Sequence, residues 1–188
     1  MPSTSAPFGM RPSFHPSGLD RAVALPGGIP SGYSTNLLKG QPVALNTSGV
    51  IIAATAGSAF QGAFAGVEFT DTTGRRRVSN YWPASTTGTD IVAYYYSDQN
   101  IVYDIQADGS LAQTSIGDQA NFTNISAGST TTGLSACTIS TSLVGSGSVG
   151  DLRIIGLYPG VDNAWGDTYT IVQVQISRSQ YVANVNAI

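Results

Sequence analysis

Read for spacing alone, the chain is a succession of short apolar runs separated by Gly, Pro, Asn, Asp and Ser. The clearest pattern lies in Asp151–Ser177, where the apolar runs Leu152–Leu157 and Tyr169–Ile176 flank a loop of Pro, Gly, Asp and Asn. In the second run Val172, Val174 and Ile176 alternate with Gln173, Gln175 and Ser177, the period of two that marks a half-buried antiparallel strand. Trp165, in the loop between the runs, predicts an aromatic lid on one end of a β core. This stretch predicts the closing strand pair of the molecule.

The same reading, carried upstream, predicts further strands. Pro42–Asn46 and Val50–Ala54 flank Thr47-Ser48-Gly49, a hairpin signal. Gly62–Phe69 sets Phe64, Val67 and Phe69 among small residues. Asp71-Thr72-Thr73-Gly74 turns the chain, and Arg75-Arg76-Arg77 leads into Val78–Trp82, which stops at Pro83. Ser85–Thr89 reads as loop and Ile91–Tyr96 as a strand. Ile101–Gln106 and Leu111–Thr114 flank Asp108-Gly109, a strongly hairpin-specific dipeptide. The Gly-, Ser- and Thr-rich region from Gly117 to Gly150 is broken by one strand, Leu134–Leu143, with Cys137, Ile139 and Leu143 on one face. Asp118–Phe122 carries the one short helical turn. These elements predict an all-β fold, an antiparallel β-sandwich or barrel, with about ten strands.

Residues 1–35 have no such period. They hold six of the nine prolines together with Gly9, Gly18, Gly27, Gly28 and Gly32. A helix or a central strand tolerates neither that proline content nor that glycine content. Yet Phe8, Met10, Phe14, Leu19, Val23, Leu25, Ile29 and Tyr33 are apolar or aromatic, more than a solvated tail needs. The prediction is an extended N-terminal arm over 1–35 that lies on its own body or on a neighbouring subunit, with a β-rich body over 36–188. Phe8, Arg11 and Phe14 are the candidate anchors.

Composition sharpens this picture. Only 10% of the residues are charged, with one lysine, Lys39, and one glutamate, Glu68. Few charges leave a free monomer poorly solvated, which suits a chain that works within an assembly. A net charge of −3 and a pI of 4.7 exclude a general nucleic-acid binder, which needs a broad basic face. The single cysteine, Cys137, excludes an internal disulfide framework. The N-terminus lacks a basic stretch followed by an apolar run, and the longest apolar run, Val50–Ala54, is too short for a membrane span. A soluble chain made in the cytoplasm, with no membrane partner, is expected.

Candidate chemistry is sparse. Gly145-Ser146-Gly147-Ser148-Val149-Gly150 satisfies G-x-G-x-x-G, but a dinucleotide site needs a helix after it and a β run follows instead, so a flexible hairpin loop is expected. His15, the only histidine, sits between Phe14 and Pro16 in the arm, poorly placed as the base of a triad. Cys137 reads as a small buried hydrophobe, and one His with one Cys does not make a zinc site. Asp71, Asp98 and Asp108 fit turn positions; Asp90, Asp104, Asp118, Asp151, Asp162 and Asp167 are the residues from which an acid pair or a calcium site would have to come. Arg75, Arg76 and Arg77 form the one charge run, read as a solvated hairpin end or as an ionic contact with an acidic partner surface. No cofactor, no metal site and no enzymatic activity are expected.

One resemblance adds a function. Ala6-Pro7-Phe8-Gly9-Met10-Arg11-Pro12, followed by His15 and Gly18, resembles the opening of small virion structural proteins of tailed bacteriophages, the head decoration or cement proteins. Gly66–Asp71, Tyr81-Trp82-Pro83-Ala84, Gly128–Ser135, Leu152–Leu157 and Trp165-Gly166-Asp167 extend the likeness along the chain. Met10 departs from the Phe or Leu expected there. The resemblance implies a virion protein on the capsid exterior that binds the major capsid protein and holds neighbouring capsomers together. It also implies contacts with other copies of itself, as a trimer in preference to a dimer. Two other classes share the composition: a tail-fibre or receptor-binding module, and a secreted carbohydrate-active β-sandwich enzyme. Against them stand the lack of a stalk repeat and the lack of a secretion leader.

Overall fold

The alternating C-terminal run sits where its pattern places it, in the middle of a sheet. The computed structural model describes residues 4–18, 21–184 and 186–187. Leu19, one of the apolar residues of the N-terminal segment, lies outside them. The strands are β1 (Arg11–Phe14), β2 (Val23–Pro26), β3 (Pro42–Leu45), β4 (Ile51–Ala53), β5 (Gly62–Thr70), β6 (Arg76–Ser79) and β7 (Thr89–Tyr96). They continue with β8 (Val102–Gln106), β9 (Gln119–Thr123), β10 (Gly128–Ser129), β11 (Leu134–Ser135), β12 (Thr138–Leu143), β13 (Leu152–Leu157) and β14 (Ile171–Ile176). Strands hold 41% of the structure and helix 2%, so the all-β antiparallel expectation holds.

Two sheets carry the fold. The first has the order β1-β8-β14-β13-β9-β12, and the second β2-β7-β5-β3-β4 with β6 added beside β5; β10 and β11 form a small separate ribbon. Between the two sheets lies one core, in which Phe60 and Ala63 meet Tyr103, Ile105, Phe122, Ile139, Ile154, Val172 and Val174. Trp165 packs on its margin, as the loop position predicts. Val172, Val174 and Ile176 are buried, while Gln173 and Gln175 are half-buried on the other face.

A second core covers the opposite face of the second sheet. Phe64, Val67 and Phe69 of β5 all point into it, together with Ile91, Ala93 and Tyr95 of β7. Strict alternation would separate Phe64 from Val67. A bulge between Phe64 and Gly66 adds one residue and restores the common face. Trp82 is fully buried here, edge-on to Phe69 at 5.1 Å between ring centroids. The lid on this core is the segment from Gly27 to Leu38, with Ile29 and Leu37 buried and Leu37 exchanging backbone hydrogen bonds with Trp82.

The N-terminal segment contributes extended strands that join both sheets. β1 pairs with β8 at one sheet edge, and β2 pairs with β7 at the edge of the other. Because β7 and β8 are consecutive and belong to different sheets, β1 and β2 between them bind both sheets, each antiparallel to its partner. Proline is compatible with this because Pro12 and Pro26 stand on edge strands, where one side of the backbone needs no ladder partner. Ile29 and Leu37, on either side of residue 35, belong to one buried layer. The described parts of the segment lie on its own body.

Other expectations are corrected by partner choice. Asp108-Gly109 makes no hairpin: β8 pairs with β1 and β14, not with the next strand, and Leu111–Thr114 gives way to a 3-10 turn at Gln113–Ser115. Asp118–Phe122 is not a helical turn but falls largely on β9. Leu134–Leu143 splits into β11 and β12 around the buried Cys137, and a register shift after Ile139 leaves Leu143 partly exposed. Gly145–Gly150 is loop without a following helix, yet it joins β12 to β13 across β9 and so closes no hairpin.

Candidate partner-binding surface

Arg11 is the residue around which the N-terminal strand is fixed. It stands opposite Asp104 in the β1–β8 register, and its guanidinium lies 3.0 Å from the Asp104 carboxylate. The Asp104 side chain is 3% exposed, so this contact neutralises a charge that water cannot reach. The same guanidinium lies over Phe8, 4.7 Å from the ring centroid, and 5.4 Å from that of Tyr158. Further out, the buried Gln106 side chain accepts the Ala6 N–H and donates to the Thr4 carbonyl, like one more strand residue. Phe8 and Arg11 therefore anchor the segment, but to its own sheet. Phe14 remains 45% exposed, as does Val23 on β2.

At the bend between β1 and β2 the structure brings together residues that sequence spacing leaves apart. Ser17 Oγ lies 2.6 Å from His15 Nδ1, and His15 Nε2 lies 3.2 Å from Asp98 Oδ2 in the β7–β8 bend. His15 is thus within reach of a hydroxyl and a carboxylate, contrary to the expectation. The Ser17 backbone N–H also donates to Nδ1, at 3.0 Å, so that lone pair is already engaged in a turn. Nε2 makes no aligned hydrogen bond. The group reads as a latch between two bends, and Asp98 is held below its ordinary pKa first by the Asn100 N–H and further by His15.

The arginine run is mostly satisfied internally. Arg76 lies 3.2 Å from Glu68 and donates to the Asp90 carbonyl; Arg77 lies 2.8 Å from Asp71. The Thr73 hydroxyl, Arg77 and the Arg75 backbone N–H hold the Asp71 carboxyl well below the usual range. The Tyr94 hydroxyl donates to Glu68 and lowers its pKa. Arg75 is left to face outward with Val78, which is 81% exposed.

Groups with catalytic potential are occupied structurally. Burial pushes the Cys137 thiol up to about 12, which leaves it unreactive. Asp151, fully buried, accepts the Gly57 and Phe122 N–H groups and faces Arg178; burial raises its pKa. Asp108 accepts the Thr141 N–H and Asp167 the Ala164 N–H. Among the described residues no cluster of three or more His, Cys, Asp or Glu side chains is set to hold a metal, and no helix is long and apolar enough to cross a membrane.

What sequence reasoning missed is the seam beside Arg11. Phe8, Met10, Arg11 and Pro12 border a cavity of about 340 Å³ whose other walls are Lys39, Gly40, Phe64, Tyr96 and Leu134. Leu134 is 43% exposed and bridges Lys39 in parallel. These residues are scattered between positions 8 and 134 of the chain, so only the fold assembles them. No protein-family model matches the chain, and neither curated proteins nor solved structures give a significant match.

Proposed function

We propose that the chain is a decoration or cement protein of a tailed-phage capsid. It binds the outer surface of the lattice and bridges neighbouring copies of the major capsid protein. What supports this reading is the N-terminal region that opens with A-P-F-G-x-R-P, where the resemblance to such proteins begins: its strands β1 and β2 pair with one sheet each, and its apolar Phe14 and Val23 are still presented outward. Phe14 and Val23, each 45% exposed, lie where that segment crosses from one sheet to the other. Half-exposed large apolar residues on a chain with few charges are suited to a contact that forms after folding. Arg75 and Val78 on the β6 hairpin offer a second, separate contact. Many weak contacts repeated on a symmetric lattice act together, so no single one has to be strong.

The partner is the capsid protein, with a trimer of this chain at a lattice junction as the preferred arrangement. The alternative, a tail-fibre or receptor-binding module, shares the β composition but is supported by no stalk-like repeat in the chain. The test is sedimentation of the purified protein with capsids from which it has been removed. Saturable co-sedimentation with capsids, and none with isolated tails, is the expected result. Binding to tails alone overturns the proposal.

A further inference from the structure

Two bends meet where the N-terminal region crosses between the sheets. β1 pairs with β8 and β2 with β7, and His15 in the first bend touches Asp98 in the second. The first bend is a turn closed by the Gly18 N–H, which donates to the His15 carbonyl at 2.8 Å. In the second, Asp98 Oδ1 accepts the Asn100 N–H at 2.8 Å, which leaves Oδ2 for the imidazole, 3.2 Å from Nε2. The His15 side chain, 10% exposed, is held between the two bends.

The neighbours give each ring nitrogen its own role. A neutral imidazole has one donor and one acceptor, whereas a charged one has two donors. The Ser17 N–H donates to Nδ1, so the neutral ring carries its hydrogen on Nε2, the nitrogen that faces Asp98. A proton taken from water adds a hydrogen at Nδ1. The Ser17 hydroxyl, 2.6 Å away, turns to accept it, but the Ser17 N–H is fixed in the backbone and then opposes donor to donor. The new charge is met by Asp98. That carboxyl is held below its ordinary pKa, first by the Asn100 N–H and further by His15, so it is still ionised where a histidine takes its proton. Arg21 works against the charge from the same recess of about 370 Å³; it is exposed and screened by water, while Asp98 is in contact. Ser17, Val23 and Ser97, the other lining residues, carry no charge. The Tyr103 phenol, close enough for Asp98 to influence it, is kept neutral by burial. Asp20 lies outside the described residues.

We propose that His15 is a proton-operated switch at this crossing: neutral, it fastens its own bend through the Ser17 N–H, and protonated, it releases that N–H and fastens the opposite bend through Asp98. Phe14 precedes the ring and Val23 borders its recess, so the two exposed apolar side chains at the crossing shift with the proton. The switch is a property of the free chain and does not depend on the capsid reading.

The test is a nitrogen-15 NMR titration of the free full-length chain over the histidine range, from about pH 8 down to about pH 5. At the alkaline end the ring nitrogen shifts should report the hydrogen on Nε2. As the pH falls, the Ser17 amide should lose its hydrogen bond with the same midpoint as the ring, and the Phe14 and Val23 amides should follow. Asp98→Asn, which removes the charge that holds the protonated ring, should keep the Ser17 N–H bonded to lower pH. His15→Gln should leave the Ser17 amide still throughout, and circular dichroism checks that both variants fold as wild type does. A hydrogen on Nδ1 at the alkaline end, or a ring that titrates while the Ser17 amide stays still, overturns the switch. So does a Ser17 amide that moves as far in His15→Gln as in wild type, or an Asp98→Asn titration that follows the wild-type curve. Phe14 and Val23 amides that stay still while Ser17 moves contradict the coupling to the exposed side chains.

Discussion

Arg11 shows how one side chain ties the N-terminal strand to its sheet. It neutralises Asp104, 3% exposed, while its flat guanidinium lies over the rings of Phe8 and Tyr158. Removing it leaves a carboxylate buried without its cation, so Arg11→Ala should lower unfolding free energy by about 2 kcal/mol, less than a fully buried pair because Arg11 is half in solvent. Arg11→Lys should recover only part of this, since an ammonium lacks the planar stack. Urea denaturation measures both. A second residue-scale outcome concerns acid. Asp71 and Glu68 have pKa values lowered by folding, so the stability they contribute is present above their unfolded values near 4 and is lost as pH falls toward the folded ones. Asp71→Asn should therefore flatten the decline of the urea midpoint below pH 4.5; an unchanged slope contradicts the assignment. Asp151 has the opposite sign: its raised pKa makes its contribution fall as pH rises through that value. The sequence marks Arg11 and Phe8 as unusual, but not Asp104. Its whole strand is buried, because the N-terminal segment covers the side that alternation would leave to water.

At the scale of elements, pairing is decided by what covers each face and edge. β14 is legible because one face meets a core and the other is half in solvent. β1 and β2 are illegible because proline-rich sequence is ordinarily loop, and edge position is not encoded locally. The Asp-Gly turn fails as a hairpin because β8 finds better partners in β1 and β14, far away in sequence. Two outcomes follow. Removing residues 2–20 should do more than detach an arm: it strips β1 from β8 and leaves Asp104 unpaired. The shortened body should melt at a clearly lower temperature by circular dichroism, and an unchanged melt contradicts the pairing. At Gly62 a Cβ would fall onto the Tyr96 carbonyl oxygen, within the contact between β5 and β7. Gly62→Ala should cost about 1–3 kcal/mol by chemical denaturation, as an overpacked core position does.

The whole molecule is a two-sheet body with a second core on one outer face, laced together by its own N-terminal segment. Such a body offers rigidity and several outward apolar side chains, with its ionisable groups largely committed to structure. That combination suits a part that adds binding energy to a larger assembly. Fold class was readable from alternation and composition; the seam recess was not, because it joins residues 8–12 to residues 39, 64, 96 and 134. Attachment to a capsid lattice is the central claim, and the copy number in purified virions tests it most directly. Quantitative mass spectrometry against the major capsid protein should find this chain in a fixed, lattice-like ratio, with hundreds of copies per particle. A handful of copies, in step with the tail proteins, would contradict the account.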